Sequence, residues 1–458
     1  MKFLLVFSQS LLDFRLAELD SVVEVLNLDL SRPSDENVDL NSACLVVDIG
    51  SEDGARALAG RCVLIKHIIQ IFAQGSSYDD LHENNKKAVH LWKVYTDKTF
   101  AFNVEAAYKS IPKERRMNII NAFSYMQFTA QVNFKKPYIQ YEVFEEHKAD
   151  INSDVDHAHT YAPRLFHRVY FGRFIAFGQR SLVPKFDVKK RAYFGNTSME
   201  SEVTVLMANQ ALARKGTLIW DPFVGTGSML YLCAYFGSYV MGSDLDGRQM
   251  RGQPGKQHTG HPGSRAGGIL SAAKDYGVLD KFLDLFTADV TRIGWRTGGT
   301  LDAIVTDPPY GVRAGAKRIG LKQGVEYKES YSAQPRPPTQ DYDLLNLTID
   351  LVVMSAYLLK RGGRLVYFLP TVNEEYKETD VPTCQGMRII ANSVQDFGKW
   401  SRRLITMEKF EDIDTDDSLQ NILSNIDINT ADKNVSHSNF REKFFRAFEP
   451  LEEQIVNQ

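Results

Sequence analysis

The sequence predicts an α/β protein whose carboxyl-terminal half is a doubly wound, mainly parallel sheet, preceded by two smaller modules. From residue 199 onward, short apolar runs of strand length recur, and stretches long enough to be helices separate most of them. Acidic residues stand directly at the ends of several runs, where open α/β sheets bind their ligands. A chain of 458 residues is long enough for two to four domains with their own cores.

Seven apolar runs define the predicted sheet of residues 199–410, and a helix over Ser201–Ala213 precedes them. In chain order the predicted strands are Thr217–Trp220, Val240–Asp244, Leu283–Asp289, Asp302–Thr306, Arg364–Leu369, Ile389–Ser393 and Arg403–Glu408. Buried parallel strands are expected to be apolar throughout, as most of these runs are. The third run is a candidate edge strand that could accept a strand from a partner, although a fully buried strand fits its composition as well.

The first module, residues 1–94, alternates between strand and helix patterns. Strands are predicted at Lys2–Ser8 and Ala43–Ile49, and an amphipathic helix at Leu12–Leu26. Gly54–Ala73 is predicted to be mostly helical, with a β-branched middle. This alternation indicates a small α/β or α+β module.

The second module, residues 95–180, mixes cationic and aromatic side chains in a way that suits phosphate attraction and base stacking. A solvated surface over an ordinary aromatic core explains the same composition. Residues 181–198 are a predicted linker with further cations. The candidate RNA-binding residues of both segments are Lys113, Arg115, Arg116, Lys135, Lys136, Arg164, Arg180, Lys189, Lys190 and Arg191.

Net charge neither demands nor excludes a nucleic-acid partner. The total is −3, but residues 411–458 form an acidic tail of net charge −7, which leaves +4 on the rest of the chain. The tail is expected to be disordered at first, while Phe440–Phe448 offers an amphipathic turn or two that docks back onto the body.

The remaining composition points to a reducing compartment and a cytoplasmic location. Four scattered cysteines show no metal-binding or disulfide spacing, so no metal is expected on this chain. No apolar run reaches the roughly 18 residues of a membrane span. The apolar start of the chain is followed at once by charged residues, which indicates a strand entering a helix.

The sharpest local motif is DPFVGTGS at residues 221–228, directly after an apolar strand. Its two glycines allow a tight turn and a close approach to a ligand, and the next helix presents unpaired amides. The motif lacks the Gly-Lys-Ser/Thr of a Walker A loop, and Leu230 occupies the third glycine position of a dinucleotide fingerprint. On its own it is equally typical of an ordinary strand–turn–helix junction.

Two more acids follow at successive strand ends. Asp244 is placed to grip both hydroxyls of a ribose, with Asp246 able to share that role. Asp289 is placed to accept the amino group of an adenine. Each acid alone is more often a cap or a turn residue. Together with Asp221 they predict an adenosyl ligand, and the candidate cofactor-binding residues are Asp221, Phe223, Gly225, Thr226, Gly227, Asp244 and Asp289.

The end of the fourth strand predicts the chemistry. Asp307, Pro308, Pro309 and Tyr310 form the candidate catalytic motif, in which the prolines fix the direction of the chain. Hydrogen bonds from an exocyclic amine to the Asp307 carboxylate and the Pro308 carbonyl would hold its nitrogen pyramidal. The lone pair would then be aimed at the methyl group of a sulfonium, and Tyr310 would stack on the base.

The paired motifs DPFVGTGS and DPPYG, together with the bridge FGNTSM at residues 194–199, resemble the eukaryotic tRNA guanosine N2-methyltransferases that modify position ten. The resemblance covers nearly the whole chain and is strongest from Tyr193 to Pro370. It implies a class I methyltransferase domain that uses S-adenosyl-L-methionine, a THUMP domain over residues 95–180 and a ferredoxin-like module over residues 1–94. It also implies tRNA as substrate and a small zinc-binding activator protein as partner in a heterodimer.

Two other classes of function stay open at this stage. The same catalytic motif serves enzymes that methylate adenine in DNA or a glutamine in a protein, and the basic-aromatic module favours RNA over both. A non-enzymatic RNA-binding protein on a decayed methyltransferase fold is disfavoured, because every expected catalytic and cofactor position is filled.

Overall fold

The computed structural model describes residues 1–149, 164–191, 193, 195, 198–252, 267–292, 294–295, 298–312, 315–321, 337–413 and 435–447. The chain divides into two compact units, Met1–Ser181 and Leu182–Gln458. Residues 253–266 and 322–336 fall outside the described residues, as does most of the acidic tail.

The amino-terminal unit is built on one seven-stranded sheet. Its strands are β1 Lys2–Phe7, β2 Leu30–Ser31, β3 Cys44–Ile49, β4 Ile65–Gly75, β5 Phe100–Ala106, β6 Ile139–Ala149 and β7 Arg164–Phe177. Their order is β2-β3-β1-β4-β7-β6-β5, and neighbours are antiparallel except the parallel pair β5 and β6. The helices are α1 Arg15–Leu26, α2 Glu52–Ala59, α3 Tyr78–Lys87, α4 Val89–Trp92 and α5 Lys113–Asn121.

The helix predicted over Gly54–Ala73 is wrong beyond Ala59. The chain leaves α2 there and enters β4, a central strand in which Ile65, Ile68 and Ile69 are buried. A strand buried on both faces is apolar throughout, so its periodicity does not distinguish it from a buried helix, and β-branched side chains favour the strand. Because β4 pairs with β7, one sheet spans both predicted modules. The division of this unit at residues 94 and 95 stays a prediction.

The carboxyl-terminal unit contains the predicted doubly wound sheet. Its strands are β8 Leu218–Asp221, β9 Tyr239–Asp244, β10 Phe282–Thr287, β11 Leu301–Thr306, β14 Leu359–Val372, β15 Met387–Asp396 and β16 Trp400–Lys409. A separate ribbon pairs β12 Lys317–Ile319 with β13 Thr339–Asp341. All seven predicted strands are confirmed, and the third, β10, lies at an edge of the sheet.

The sheet order is β10-β9-β8-β11-β14-β16-β15. Strands β10, β9, β8, β11 and β14 run parallel to one another, whereas β16 lies antiparallel between β14 and β15. Strand β16, the last in the chain, is therefore inserted antiparallel beside β14, so β16 starts at the edge of the sheet where the parallel strands end.

Helices α6 Leu182–Lys185, α7 Ser201–Gln210, α8 Ser228–Tyr235, α9 Gly247–Met250, α10 Gly268–Asp275 and α11 Leu344–Leu358 complete this unit, with a carboxyl-terminal helix Phe440–Ala447. Its core packs strand residues such as Trp220, Ile304 and Tyr367 against Leu351 of α11. The predicted docking of the tail is confirmed, since Phe440 is only 2% exposed. Among the described residues, no helix has the length and apolarity of a membrane span.

Candidate active site

Four parallel strands bring the predicted acids to one edge of the sheet. The register pairs Trp220 with Ile304 and Asp221 with Gly242, so β8, β9 and β11 end side by side. Asp307 follows β11 directly, and Asp289 comes two residues after β10. Parallel strands place their carboxyl ends at a common crevice, and in this unit that crevice collects residues from four separate parts of the sequence.

Asp221 is fully buried at the end of β8. One carboxylate oxygen, Oδ1, accepts from the Phe223 amide at 3.0 Å and from the Thr306 hydroxyl at 2.7 Å. The other oxygen, Oδ2, has no hydrogen-bond partner among the described residues. Burial raises the pKa of Asp221 to about 8. A buried, unpartnered carboxylate oxygen is costly, and a cationic donor such as an ammonium group satisfies it.

The glycine loop runs over the ends of β8 and β9. Gly225 and Gly227 have φ values of +48° and +81°, in the left-handed region that favours glycine. A Cβ on Gly227 would approach Ile269 Cγ2 to 2.9 Å, whereas one on Gly225 would meet no atom closer than 3.8 Å. Glycine is therefore required at Gly225 by its positive φ and not by crowding, while at Gly227 it also permits tight packing at the start of α8.

The predicted linker holds this loop in place, a role that its composition did not reveal. Ser198 shares a hydrogen bond of 2.8 Å with Thr226, so the Thr226 side chain is engaged within the protein. Arg191, proposed for RNA, is only 7% exposed, donates to the Ser228 hydroxyl at 3.0 Å and stacks over the Tyr231 ring. Its inclusion in the RNA-binding set is corrected, because these contacts make it a structural residue.

Asp244 ends β9 beside the glycine loop. Its carboxylate accepts from the Gly225 amide at 3.0 Å and from the Asp246 amide at 2.9 Å, and burial raises its pKa to about 6. Asp246 is instead paired with Arg248 and caps α9. Of the two acids considered for the ribose, Asp244 is therefore the one that faces the loop without a cationic partner in the described chain.

Asp289 and Phe223 lie on the far side of the loop. Asp289 Oδ1 accepts from the amide and hydroxyl of Thr291, and Oδ2 accepts from the Ile319 amide at 2.5 Å. These bonds tie the end of β10 to β12, which is the turn role weighed against adenine binding. Phe223 packs against Val290 and Leu347, so its ring forms an apolar wall next to Asp289. The adenine contact stays a prediction.

The candidate catalytic motif follows β11, the strand that pairs with β8 and so lies next to Asp221. Tyr310 donates its hydroxyl to Asp307 Oδ1, so the phenol is tethered to the carboxylate that it accompanies. Burial raises the pKa of Asp307 to about 6, and the bond from Tyr310 and the charge of Arg402 act in the opposite direction. Asp307 is therefore mostly ionised at neutral pH and available as a hydrogen-bond acceptor.

Arg402 is a site residue that sequence reasoning missed. It lies near the start of the antiparallel strand β16, across from Pro370. Burial raises the pKa of both Asp307 and Tyr310, and the positive charge of Arg402 opposes that rise. Its guanidinium lies 4.4 Å over the Phe368 ring and 3.4 Å from Glu200. The sequence alone did not reveal this position, because only the antiparallel insertion of β16 brings its start to the edge where the parallel strands end.

The other candidate RNA-binding residues occupy several environments. Lys113, Arg116, Lys135, Lys136, Lys189 and Lys190 are exposed. Arg115 is half-exposed and is held by the fully buried Glu145 at 2.6 Å, beside a groove of about 500 Å³ that also contains Lys109 and His147. Arg180 donates to the Val63 carbonyl at 3.2 Å. Arg164 starts β7, and its side chain lies outside the described set.

The residues at this edge fit S-adenosyl-L-methionine. The unpartnered Asp221 oxygen suits the ammonium group of the cofactor, and Asp244 suits its ribose. No side chain at Gly225 keeps the cofactor away from the backbone of the glycine loop. Among the described residues, no cluster of His, Cys, Asp and Glu is arranged to hold a metal ion. The strand order and this site define a class I methyltransferase that depends on S-adenosyl-L-methionine.

Comparison with known proteins gives the family. Residues 1–180 match the model of the Tmrp11 THUMP N-terminal domain. The chain is 34% identical to the tRNA (guanine(10)-N(2))-methyltransferase TRMT11 of Homo sapiens, over 97% of this chain and 95% of that protein. It is 33% identical to the Saccharomyces cerevisiae tRNA (guanine(10)-N(2))-methyltransferase, over 98% and 99% of the two chains. This protein belongs to the tRNA (guanine(10)-N(2))-methyltransferase family.

A solved structure, TrmN from Thermus thermophilus, is similar at a TM-score of 0.42 and 17% identity, over 89% of this chain and 100% of that one.

Proposed function

We propose that this protein transfers a methyl group from S-adenosyl-L-methionine to the exocyclic N2 amino group of the guanosine at position ten of tRNA. The observation that carries the proposal is the adjacency of two carboxylates with different tasks, one fully buried and one partly buried. Asp221 has an oxygen free for a cationic donor, and Asp307 is held next to it at the end of the neighbouring strand. Membership of the family supports guanosine in tRNA as the acceptor.

Within the chain, Asp307 and the Pro308 carbonyl bind the two N–H groups of the guanine amine. Both groups accept hydrogen bonds, which keeps the nitrogen lone pair out of the ring plane and directed along one line. The cofactor supplies an electrophilic methyl group on a sulfonium. Tyr310 limits where the base can stack, because its hydroxyl is tied to Asp307. Arg402 keeps the Asp307 carboxylate ionised, so that it accepts rather than donates.

Selection of RNA is assigned to the amino-terminal unit. Its exposed cations and the groove beside Arg115, lined by Lys109, His147 and Phe166, combine positive charge with aromatic surface. A protein-glutamine methyltransferase has no need of such a surface. Methylation of adenine or glutamine is therefore the alternative outcome of the test below.

The test compares two tRNAs that differ by one amino group. The protein is incubated with methyl-labelled S-adenosyl-L-methionine and either unmodified tRNA or the same tRNA with inosine at position ten. The product nucleosides are then separated. We expect label in N2-methylguanosine from the first tRNA and a loss of that label from the second, because inosine lacks the 2-amino group. Equal labelling of both would move the target to another nucleotide, and label only in DNA adenine or protein glutamine would overturn the substrate.

We further propose that a small zinc-binding activator protein binds at the β10 edge to form a heterodimer. β10 is the outermost strand of its sheet, and Leu283 is 55% exposed on it. Next to the strand, Phe286, Met241 and Trp295 line an apolar groove of about 360 Å³. An exposed strand edge beside apolar surface is the usual receptor for an added strand.

This partner proposal is tested with matched substitutions on the two edge strands. Leu283→Arg on β10 is expected to abolish co-purification with the activator and to lower the yield of protein. Ile390→Arg on β15, the opposite edge, changes a side chain that is 39% exposed and is expected to leave the complex intact. Equal loss of the complex in both variants, or a well-behaved, fully active chain without any activator, would contradict the proposal.

A cytoplasmic location is part of the same proposal. Its support is that Cys44, Cys62, Cys233 and Cys384 are buried and scattered, without the spacing of a disulfide framework, as expected in a reducing compartment. Fractionation of cells that express the tagged protein tests this location, and recovery in an organelle fraction would contradict it.

A further inference from the structure

The carboxyl-terminal helix Phe440–Ala447 packs directly against the catalytic loop. Phe440 is buried in a small apolar cluster with Leu344 and Val372, and Tyr310 and Val312 pack onto that cluster. The Phe440 ring meets the Tyr310 ring edge to face, with centroids 6.4 Å apart and planes at 83°. An edge-to-face pair is the favoured geometry for neighbouring aromatic rings.

A second aromatic residue widens the contact. Trp400, at the start of β16, lies 5.9 Å from Phe440 and 5.5 Å from Phe444, measured between ring centroids. On the other side of the loop, a Cβ added to Gly311 would come within 3.4 Å of Arg441 Cβ. The backbone that follows Tyr310 is therefore also in contact with this helix.

The helix is anchored at points outside the catalytic motif. The Ser436 amide donates to Asp380 Oδ2 at 3.1 Å, and Lys443 donates to Glu375 at 2.6 Å and to the Val435 carbonyl at 2.9 Å. Asp380 and Glu375 lie between β14 and β15. The segment thus joins a fixed part of the fold to the loop that carries Tyr310.

We infer that Phe440 is a positioning residue that holds the Tyr310 ring for the base. The inference rests on the proposed function, because it assigns the orientation of Tyr310 to the target base. One end of Tyr310 is fixed by its hydroxyl bond to Asp307, and the ring is fixed by the Phe440 edge. With only the hydroxyl bond, the ring can swing about that point, and the base then stacks at the wrong angle.

The experiment compares two phenylalanines of the same helix. Phe440→Ala removes the buried ring, and Phe445→Ala removes one that is 50% exposed. Misplacement of reacting groups by about 1 Å costs roughly a hundredfold in rate, so we expect Phe440→Ala to lower kcat at least about tenfold. The Kd for S-adenosyl-L-methionine and the KM for tRNA should stay within about twofold, and Phe440→Leu should recover most of kcat.

A second pair of variants leaves the aromatic cluster intact. Lys443→Glu breaks the ion pair that anchors the helix, and the double variant Glu375→Lys with Lys443→Glu restores it in reverse. We expect kcat per cofactor-binding site to fall in the single variant and to recover in part in the double variant, which still lacks the bond from Lys443 to the Val435 carbonyl. If the helix serves only general stability, the number of binding sites per chain falls instead and kcat per site does not change.

The outcomes separate this inference from the proposed function. If the unmodified protein methylates tRNA neither with nor without the activator, the proposed function fails. If it does, but Phe440→Ala matches Phe445→Ala in kcat, the inference fails alone. A higher kcat in Phe440→Ala would overturn it in the opposite sense, because the helix would then obstruct the base.

Discussion

The two sheets of this protein differ in how they distribute chemistry. In the carboxyl-terminal sheet, strands β10, β9, β8, β11 and β14 run parallel, and Asp221, Asp244 and Asp307 meet at one edge. In the amino-terminal sheet nearly all neighbours are antiparallel, and the cations are spread over helix α5, the loop before β6 and the strand ends. A parallel sheet concentrates functional side chains, whereas this antiparallel sheet leaves them dispersed.

This difference determines what a single substitution can do. Under the proposed function each acid at the parallel edge has a separate task, so losing one of them should be severe. The dispersed cations would share the task of attracting phosphates, so losing one or two should be mild. Four predictions test this contrast, in order of expected effect.

The largest effect is expected from Asp307→Ala. Removing the carboxylate removes the acceptor that orients the amine, so single-turnover methylation should fall by about a thousandfold or more. Cofactor and tRNA affinities, measured by calorimetry and filter binding, should change by only a few-fold. A rate within tenfold of the unmodified protein would contradict the assigned role.

Next comes Asp221→Asn, which keeps the shape of the side chain but cannot ionise when an ammonium group binds beside it. A charge-assisted hydrogen bond is worth about 1.5–3 kcal/mol, so cofactor Kd should rise by roughly 10- to 150-fold. Asp246→Asn is the matched control, because that carboxylate is already paired with Arg248, and its Kd should change little. Calorimetric titration measures both, and similar losses in the two variants would refute the separation of tasks.

A smaller effect is expected from the amino-terminal unit. The double variant Lys135→Ala with Lys136→Ala should weaken tRNA binding by a few-fold and reduce the salt slope of log K by about one to two. Lys215→Ala, an exposed lysine of the other unit, serves as the control. Loss of turnover with unchanged tRNA affinity would show that the cations are not simple phosphate contacts.

The smallest effect is a shift in pH dependence. The Asp307 carboxylate acts when ionised, and its pKa is about 6, so activity should rise with pH through about 6 and level off above it. Arg402→Ala removes a charge that lowers this pKa, so the midpoint should move to higher pH. Rates near neutrality should then fall by roughly twofold or less, because a larger fraction of Asp307 is protonated there. An unmoved midpoint would exclude the electrostatic role of Arg402.

The sequence was informative where function depends on consecutive residues. The seven strands of the carboxyl-terminal sheet, the glycine loop and the Asp307–Tyr310 motif were all predicted. An apolar strand and the residues directly after it form a local pattern that can be read from consecutive residues. β4 was misread because a central strand loses the alternation that marks a half-buried one. Arg191 was misassigned because a charged side chain in a linker gives no sign of a partner 37 residues away.

Two further residues were out of reach for a different reason. Arg402 and Phe440 act on Asp307 and Tyr310 from about a hundred residues further along the chain, and only the fold brings them together. Arg402 was derivable once the antiparallel insertion of β16 was assumed. Phe440 was predicted to dock, but its contact with Tyr310 was not, because an amphipathic helix specifies an apolar face without specifying what it covers.

The edge strand β10 also bears on the manufacture of the protein in the cell. Its pattern of Phe, Leu and Thr has high strand propensity, and a bare sheet edge of that kind recruits extended segments of other copies. In newly made chains whose β10 is uncovered, correct assembly therefore competes with aggregation. Balanced synthesis of this chain with whatever covers the strand would thus set its steady-state abundance, and surplus copies would be the first to reach the degradation machinery.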